Sequence, residues 1–242
     1  MATTFLTAEW RKLIMANYVV SPKLLEPYLP EGTVLDLYED RCYMSLVGFL
    51  FQDTKIKSIA IPFHRTFEEV NLRFYVQHTT ATGERRRGVV FISELVPRLA
   101  LSVVANTVYG ENYATVSMRH EWNETDAERV VAYRWRHRNR WNELKVTAGL
   151  QDAAIETESA EEFFTEHYWG YTKRRSGGTS EYGVLHPRWQ MYPILQYGID
   201  VDFGALYGDG FASLSAQSPE SVLLAEGSKI EVRSGERIVM KH

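Results

Sequence analysis

Between Phe67 and His78 the chain alternates with period two: Val70, Leu72, Phe74 and Val76 hold one set of positions, and Glu69, Asn71, Arg73, Tyr75 and Gln77 hold the other. Successive strand side chains point to opposite faces, so the spacing predicts a β-strand with one apolar and one polar face. The turn Ala81-Thr82-Gly83-Glu84 and the triplet Arg85-Arg86-Arg87 lead into a second strand, Gly88 to Leu95, and the two are expected to form an antiparallel hairpin. In that second strand Val89 and Phe91 fall on one face and Val90 and Ile92 on the other. Neither face of the hairpin is therefore expected to be fully wet.

The same reading extends along the chain. Cys42 to Phe51 is almost wholly apolar and predicts a strand buried on both faces, paired through Glu39-Asp40-Arg41 with Val34 to Tyr38. Further strands are expected at 113–122, 129–139, 144–148 and 181–194, the last with a proline-broken tail, and closing strands at 221–225 and 229–232 around Gly227. Helices are few and short. Ser21-Pro22 starts one, Pro97 opens a second that ends at Gly110, and 201–207 reads as another. Ser159 with Glu162 forms a capping box for a helix carrying Phe163, Phe164, His167 and Tyr168 on one side. No repeat or low-complexity linker interrupts the pattern, so residues 1–242 are read as one β-dominated α+β domain.

Composition narrows the function classes. Apolar residues at 45% and charged residues at 24% are the ordinary globular balance, while 14 Tyr, 11 Phe and 6 Trp supply many large side chains suited to filling a barrel and lining a pocket. A net charge of −4 gives no global attraction to nucleic acid or anionic membrane, and neither partner is expected. Arg134, Arg136, Arg138 and Arg140 alternate with Tyr133, Trp135, His137 and Trp141, which reads as a solvated arginine face over an aromatic core face rather than a base-stacking surface. Cys42 is the single cysteine, which excludes an internal disulfide and agrees with a reducing compartment. The apolar run from Leu13 to Val20 is short and broken by Asn17, unlike a signal or spanning segment, so a cytoplasmic location is expected. The seven histidines lack metal-ligand spacing, and no phosphate loop, dinucleotide fingerprint or nucleophile elbow occurs, so no metal and no cofactor is expected.

The polar face of Glu69, Asn71, Arg73 and Tyr75 is the leading site candidate, because these residues supply directional donors and a flat ring where a solvated face favours Lys, Glu and Thr. Glu69 and Arg73 have Cα atoms about 13 Å apart along a strand, too far for a direct ion pair, so a bound anion is expected to engage Arg73 while Glu69 serves another ligand atom. A second candidate is the aromatic stretch 162–171 followed by His186-Pro187-Arg188-Trp189.

Glu69-Val70-Asn71-Leu72-Arg73-Phe74-Tyr75-Val76 resembles the Glu-x-Asn-x-Arg-Thr-Tyr-Val signature of the YqjF-like family, domain of unknown function 2071. Leu29-Pro30-Glu31-Gly32, the stretch 88–95, the stretch 162–172 and His186-Pro187-Arg188-Trp189 fall in the family's order, so the resemblance covers nearly the whole chain. That family is similar in fold to acetoacetate decarboxylase, and the resemblance implies a closed antiparallel β-barrel with a few short flanking helices, its small-acid pocket faced by the polar side of 67–78. It also implies a Schiff-base lysine near Glu111-Asn112-Tyr113-Ala114, where no lysine occurs. Imine-forming decarboxylation is accordingly disfavoured.

Three readings follow. The first is a barrel that binds a small anionic or carbonyl-bearing molecule, with Arg73 as anchor, Asn71, Tyr75, Tyr113 and His186 around the ligand, and Glu69 as hydrogen-bond acceptor or base. The second is a metal-independent lyase or hydrolase using Glu69 as acid or base with His186 or Tyr113 as partner. The third is a homodimeric interaction protein whose aromatics Tyr168, Trp169 and Trp189 form the contact face.

Overall fold

The computed structural model describes residues 3–60, 65–97, 113–174 and 177–238. Its longer strands are β1 (Thr4–Val19), β2 (Tyr43–Ile56), β3 (Phe67–Thr79), β4 (Arg85–Val96), β5 (Ser117–Glu124), β6 (Arg129–His137), β7 (Arg140–Ala148), β8 (Trp169–Lys173), β9 (Thr179–Leu185), β10 (Ile194–Asp200) and β11 (Ser221–Arg233). The helices are α1 (Pro22–Leu25), α2 (Ala160–Thr165) and α3 (Phe203–Tyr207). The helix expected from Pro97 to Gly110 lies outside the described residues beyond Pro97.

Strand pairing closes on itself. β11 pairs with β1, β1 with β2, β2 with β3, β3 with β4, β4 with β8, β8 with β9, and β9 returns to β11. All of these junctions are antiparallel except β4–β8, which is parallel through Trp169 opposite Gly88. The ring is a closed barrel, with one parallel seam in an otherwise antiparallel wall. Closure pairs strand ends that an open sheet would leave exposed, through two residue pairs at β4–β8 and two at β9–β11.

A second, four-stranded sheet in the order β10-β7-β6-β5 covers the outside of β1, β2 and β3. Tyr133, Trp135, Leu144 and Val146 from this sheet pack with Ile14, Leu46, Leu72 and Phe74 of the ring in one fully buried layer. Gly48 permits the approach, because a Cβ there would lie 2.9 Å from the Tyr133 ring. On the outer surface of the same sheet Arg134 pairs with Glu121 and Glu143, and Arg140 with Asp200. In the stripe, Arg134 and Arg140 thus form local ion pairs and Tyr133 and Trp135 lie in the core beneath, whereas Trp141, expected on the core face, is exposed, with the Arg119 guanidinium 4.8 Å from its ring centroid.

Three expectations are corrected. Val34–Leu35 does not form a hairpin with β2: it pairs with the end of β3 instead, and only an isolated bridge, Tyr38 to Arg41, spans the turn. The two closing strands around Gly227 are one continuous strand, β11, bent where Gly227 takes a positive φ of 82° opposite Arg11. Trp189 is not on an exposed aromatic face, since it is 4% accessible beneath Trp10 and His186. Among the described residues no helix is long and apolar enough to cross a membrane.

Candidate functional site

The inner face of the ring is lined differently from the outer. Leu13 and Met15 of β1, Val47 and Phe49 of β2, and Val89 of β4 enclose the lumen, and α2 places Phe163 and Phe164 across it. A cavity of ≈ 120 Å³ remains inside, bordered by Glu69, Asn71, Arg73, Glu94, Tyr113 and His167 against an aromatic wall. No lysine is among its described lining residues.

β3 supplies the centre of the site because its alternation is regular. Glu69, Asn71 and Arg73 point inward and are 2%, 2% and 8% accessible. The Asn71 amide donates to Glu69 Oε1 at 2.9 Å, and the Tyr113 hydroxyl donates to Glu69 Oε2 at 3.4 Å. Asn71 Oδ1 is buried without a hydrogen-bond partner among the described residues.

Arg73 is the unusual member. Its Nη2 donates to the Phe164 carbonyl at 3.2 Å and lies 3.9 Å from Met15 Sδ, and its guanidinium stands 5.7 Å from the centroid of the Tyr75 ring. Nε is buried without a hydrogen-bond partner, and the side chain forms no ion pair, among the described residues. A cation taken out of water without a counter-charge is strongly unfavourable, and an anion entering the cavity would relieve that.

Two residues that period-two reading did not reach also border the cavity. Glu94 arrives through a β-bulge: Leu72 pairs with Ser93 but Arg73 pairs with Phe91, so one extra residue on β4 reverses its alternation. Glu94 consequently faces inward opposite Asn71, and Leu95 faces the outer layer. His167 follows the end of α2, with its Nε2 3.0 Å from Asp36 Oδ2, which also accepts from Arg87 Nε at 2.6 Å. Burial pushes the His167 imidazole down to about 4, so the ring is neutral near pH 7. Burial alone would raise the Asp36 carboxyl, but hydrogen bonds from His167 and Arg87 outweigh it and hold the group below its ordinary value. Since an ionised carboxylate only accepts, Nε2 carries the proton and Nδ1 carries the lone pair.

The remaining expected site residues divide. His186 borders both the cavity and an outer groove of ≈ 700 Å³, stacked on Trp189 at 4.2 Å, and burial lowers its basicity. Tyr75 shares the inward face but is not among the residues bordering the cavity. Phe163, Phe164 and His167 cover its ring, and its hydroxyl is 2.6 Å from Ser45, which donates on to Asn17. Tyr75 is therefore a support beneath the site. Among the described residues no group of three or more His, Cys, Asp and Glu is placed to hold a metal.

The model of the family DUF2071, an uncharacterized conserved protein, matches residues 7–229. The chain belongs to that family. No curated protein matches its sequence significantly. Among solved structures, this chain is similar in fold to acetoacetate decarboxylase from Legionella pneumophila, at a TM-score of 0.65 and 10% identity over 97% of this chain and 87% of the other. An acetoacetate decarboxylase-like enzyme from Sphingomonas wittichii RW1 superposes with a TM-score of 0.65, 10% identity and coverage of 99% and 95%. The enduracididine biosynthesis enzyme MppR complexed with pyruvate superposes with a TM-score of 0.68, 13% identity and coverage of 99% and 92%.

Proposed function

We propose that this DUF2071 barrel binds a small carboxylic acid, seating the carboxylate on Arg73 and the rest of the molecule among Asn71, Glu69 and the aromatic wall. The observation that carries the reading is Arg73 itself, a buried guanidinium bordering the cavity that forms no ion pair with the described residues and whose Nε has no hydrogen-bond partner among them. Guanidinium and carboxylate match in shape as well as charge, and the pair strengthens where water is excluded. A cavity of ≈ 120 Å³ suits a molecule of a few heavy atoms, given that an engineered cavity of about 150 Å³ accepts benzene. The pyruvate in the MppR complex is of that size and charge. The absence of lysine from the described lining supports non-covalent binding over imine chemistry.

Calorimetric titration with pyruvate, lactate, propionate and the neutral propionamide tests this. The acids bind, the amide does not, and Arg73→Ala lowers acid affinity roughly thirtyfold or more, as expected when one partner of a buried charge pair is removed. Unchanged affinity in Arg73→Ala overturns the reading.

The Tyr113–Glu69 hydrogen bond favours a second reading, in which Glu69 acts as acid or base in a lyase or hydrolase reaction. Turnover of small keto acids or lactones that disappears in Glu69→Gln supports it, and binding without turnover across such a panel removes it.

A further inference from the structure

The side-chain hydrogen bond of His167 goes to Asp36, which does not border the cavity that His167 itself lines. Nε2 is committed to Asp36, and Asp36 is in turn held by Arg87 and by its own backbone amide, which donates to the Tyr75 carbonyl at 2.9 Å. The imidazole is clamped between Tyr75, at 4.7 Å between ring centroids, and Phe163, at 5.2 Å. Its side chain is 1% accessible, and Nδ1 has no hydrogen-bond partner among the described residues. A buried acceptor left unmatched is costly, and an orienting carboxylate behind a histidine fixes which nitrogen is presented forward. Arg73, at 5.7 Å from the Tyr75 centroid, stands against the same ring. The donor for a carboxylate and a lone pair seeking a donor are thus gathered around one aromatic platform.

We infer that His167 selects the oxidation level of the bound acid: Nδ1 accepts a hydrogen bond from a hydroxyl next to the carboxylate held by Arg73, so the site prefers a 2-hydroxy acid to the corresponding 2-oxo acid. The inference rests on the Arg73 reading above and sharpens it. A 2-oxo group offers only an acceptor and would face the Nδ1 lone pair without a proton between them. A 2-hydroxyl offers the missing donor at the same atom, with the carboxylate unchanged. His167 acts here as a specificity-determining residue, and no bond is made or broken.

Lactate and pyruvate differ only at that position and serve as the probes. In the wild-type protein lactate is expected to bind about tenfold more tightly than pyruvate, the worth of one hydrogen bond in a buried site. His167→Phe should bring the two affinities together by weakening lactate alone. A measurement that needs no variant uses ¹⁵N-histidine labelling: the Nδ1 resonance of His167 should move upfield on adding lactate and stay in place on adding pyruvate. Equal affinities with an unmoved resonance overturn the selectivity and leave Arg73 as the anchor. Failure of both acids to bind overturns the anchor and the selectivity together.

Discussion

Arg73 and Phe74 are adjacent in sequence and lie on opposite faces of one strand, and their surroundings have opposite characters. Phe74 is wholly buried in a dry apolar layer between the ring and the four-stranded sheet, where its neighbours fill the space around it. Arg73 is buried beside the cavity, with one hydrogen bond to a carbonyl, one weak contact to sulfur and a guanidinium Nε that has no hydrogen-bond partner among the described residues. The outer face of β3 contributes stability, and the inner face holds unsatisfied polar groups at the expense of stability. Functional sites commonly show that trade, because groups arranged for a ligand are poorly matched when it is absent.

The largest expected effect lies on the outer face. Phe74→Ala removes a ring from a layer that cannot collapse around the gap and should lower the unfolding free energy by about 3–5 kcal/mol in urea denaturation. Arg73→Met should move the other way. With the unpaired charge replaced by an apolar side chain of similar length, the ligand-free protein is expected to gain about 1 kcal/mol or more while losing acid binding. If both variants destabilise alike, the contrast between the two faces is wrong.

How much of this could be read from the chain depends on how regular each element is. β3 keeps strict alternation, and Glu69, Asn71 and Arg73 were accordingly legible as one inward group. Glu94 was hidden by the bulge opposite Leu72 and Arg73, since a single extra residue transfers everything beyond it to the other face. The sequence pattern does not mark β1 as a strand and divides β11 into two pieces, for a related reason. Lys12 has a positive φ of 54°, Gly227 lies opposite the neighbouring Arg11, and a Cβ at Gly227 would fall 2.0 Å from the Trp10 carbonyl, so both strands bend where their alternation should continue. The Asp36–His167 contact joins residues 131 positions apart and has no local signature. Tyr75 was placed on the correct face, but α2 covers it, and no strand periodicity reports what a distant helix will cover.

That buried contact gives the inner face a pH signature. His167 is neutral in the fold down to about 4, whereas an unfolded histidine takes up its proton near pH 6.5. Between those values the unfolded chain binds a proton that the folded chain does not, so stability should fall as pH falls from about 6.5 towards 4, by roughly 1 kcal/mol per pH unit. Asp36, held below its ordinary value, adds a further loss at lower pH, as acid protonates the carboxylate that His167 and Arg87 require. His167→Gln should flatten the first part of this profile in denaturation measured at successive pH values. A wild-type profile that is already flat between pH 6.5 and 4.5 rules out a neutral, buried His167.

The smallest effect belongs on the outermost surface. Arg134 lies on the solvent side of β6, between Glu121 and Glu143 on the neighbouring strands, and its side chain is 36% accessible. Water already solvates these charges well, and holding three long side chains in register opposes the Coulombic gain. Arg134→Ala should therefore change the unfolding free energy by less than about 1 kcal/mol, and raising the salt concentration should shrink the difference further. The residues on either side of it matter more than the charge: Tyr133 and Trp135, which flank Arg134, are fully buried and anchor the same strand to the ring. A large loss from Arg134→Ala would mean that the ion pairs, rather than the aromatic layer beneath them, hold the second sheet in place.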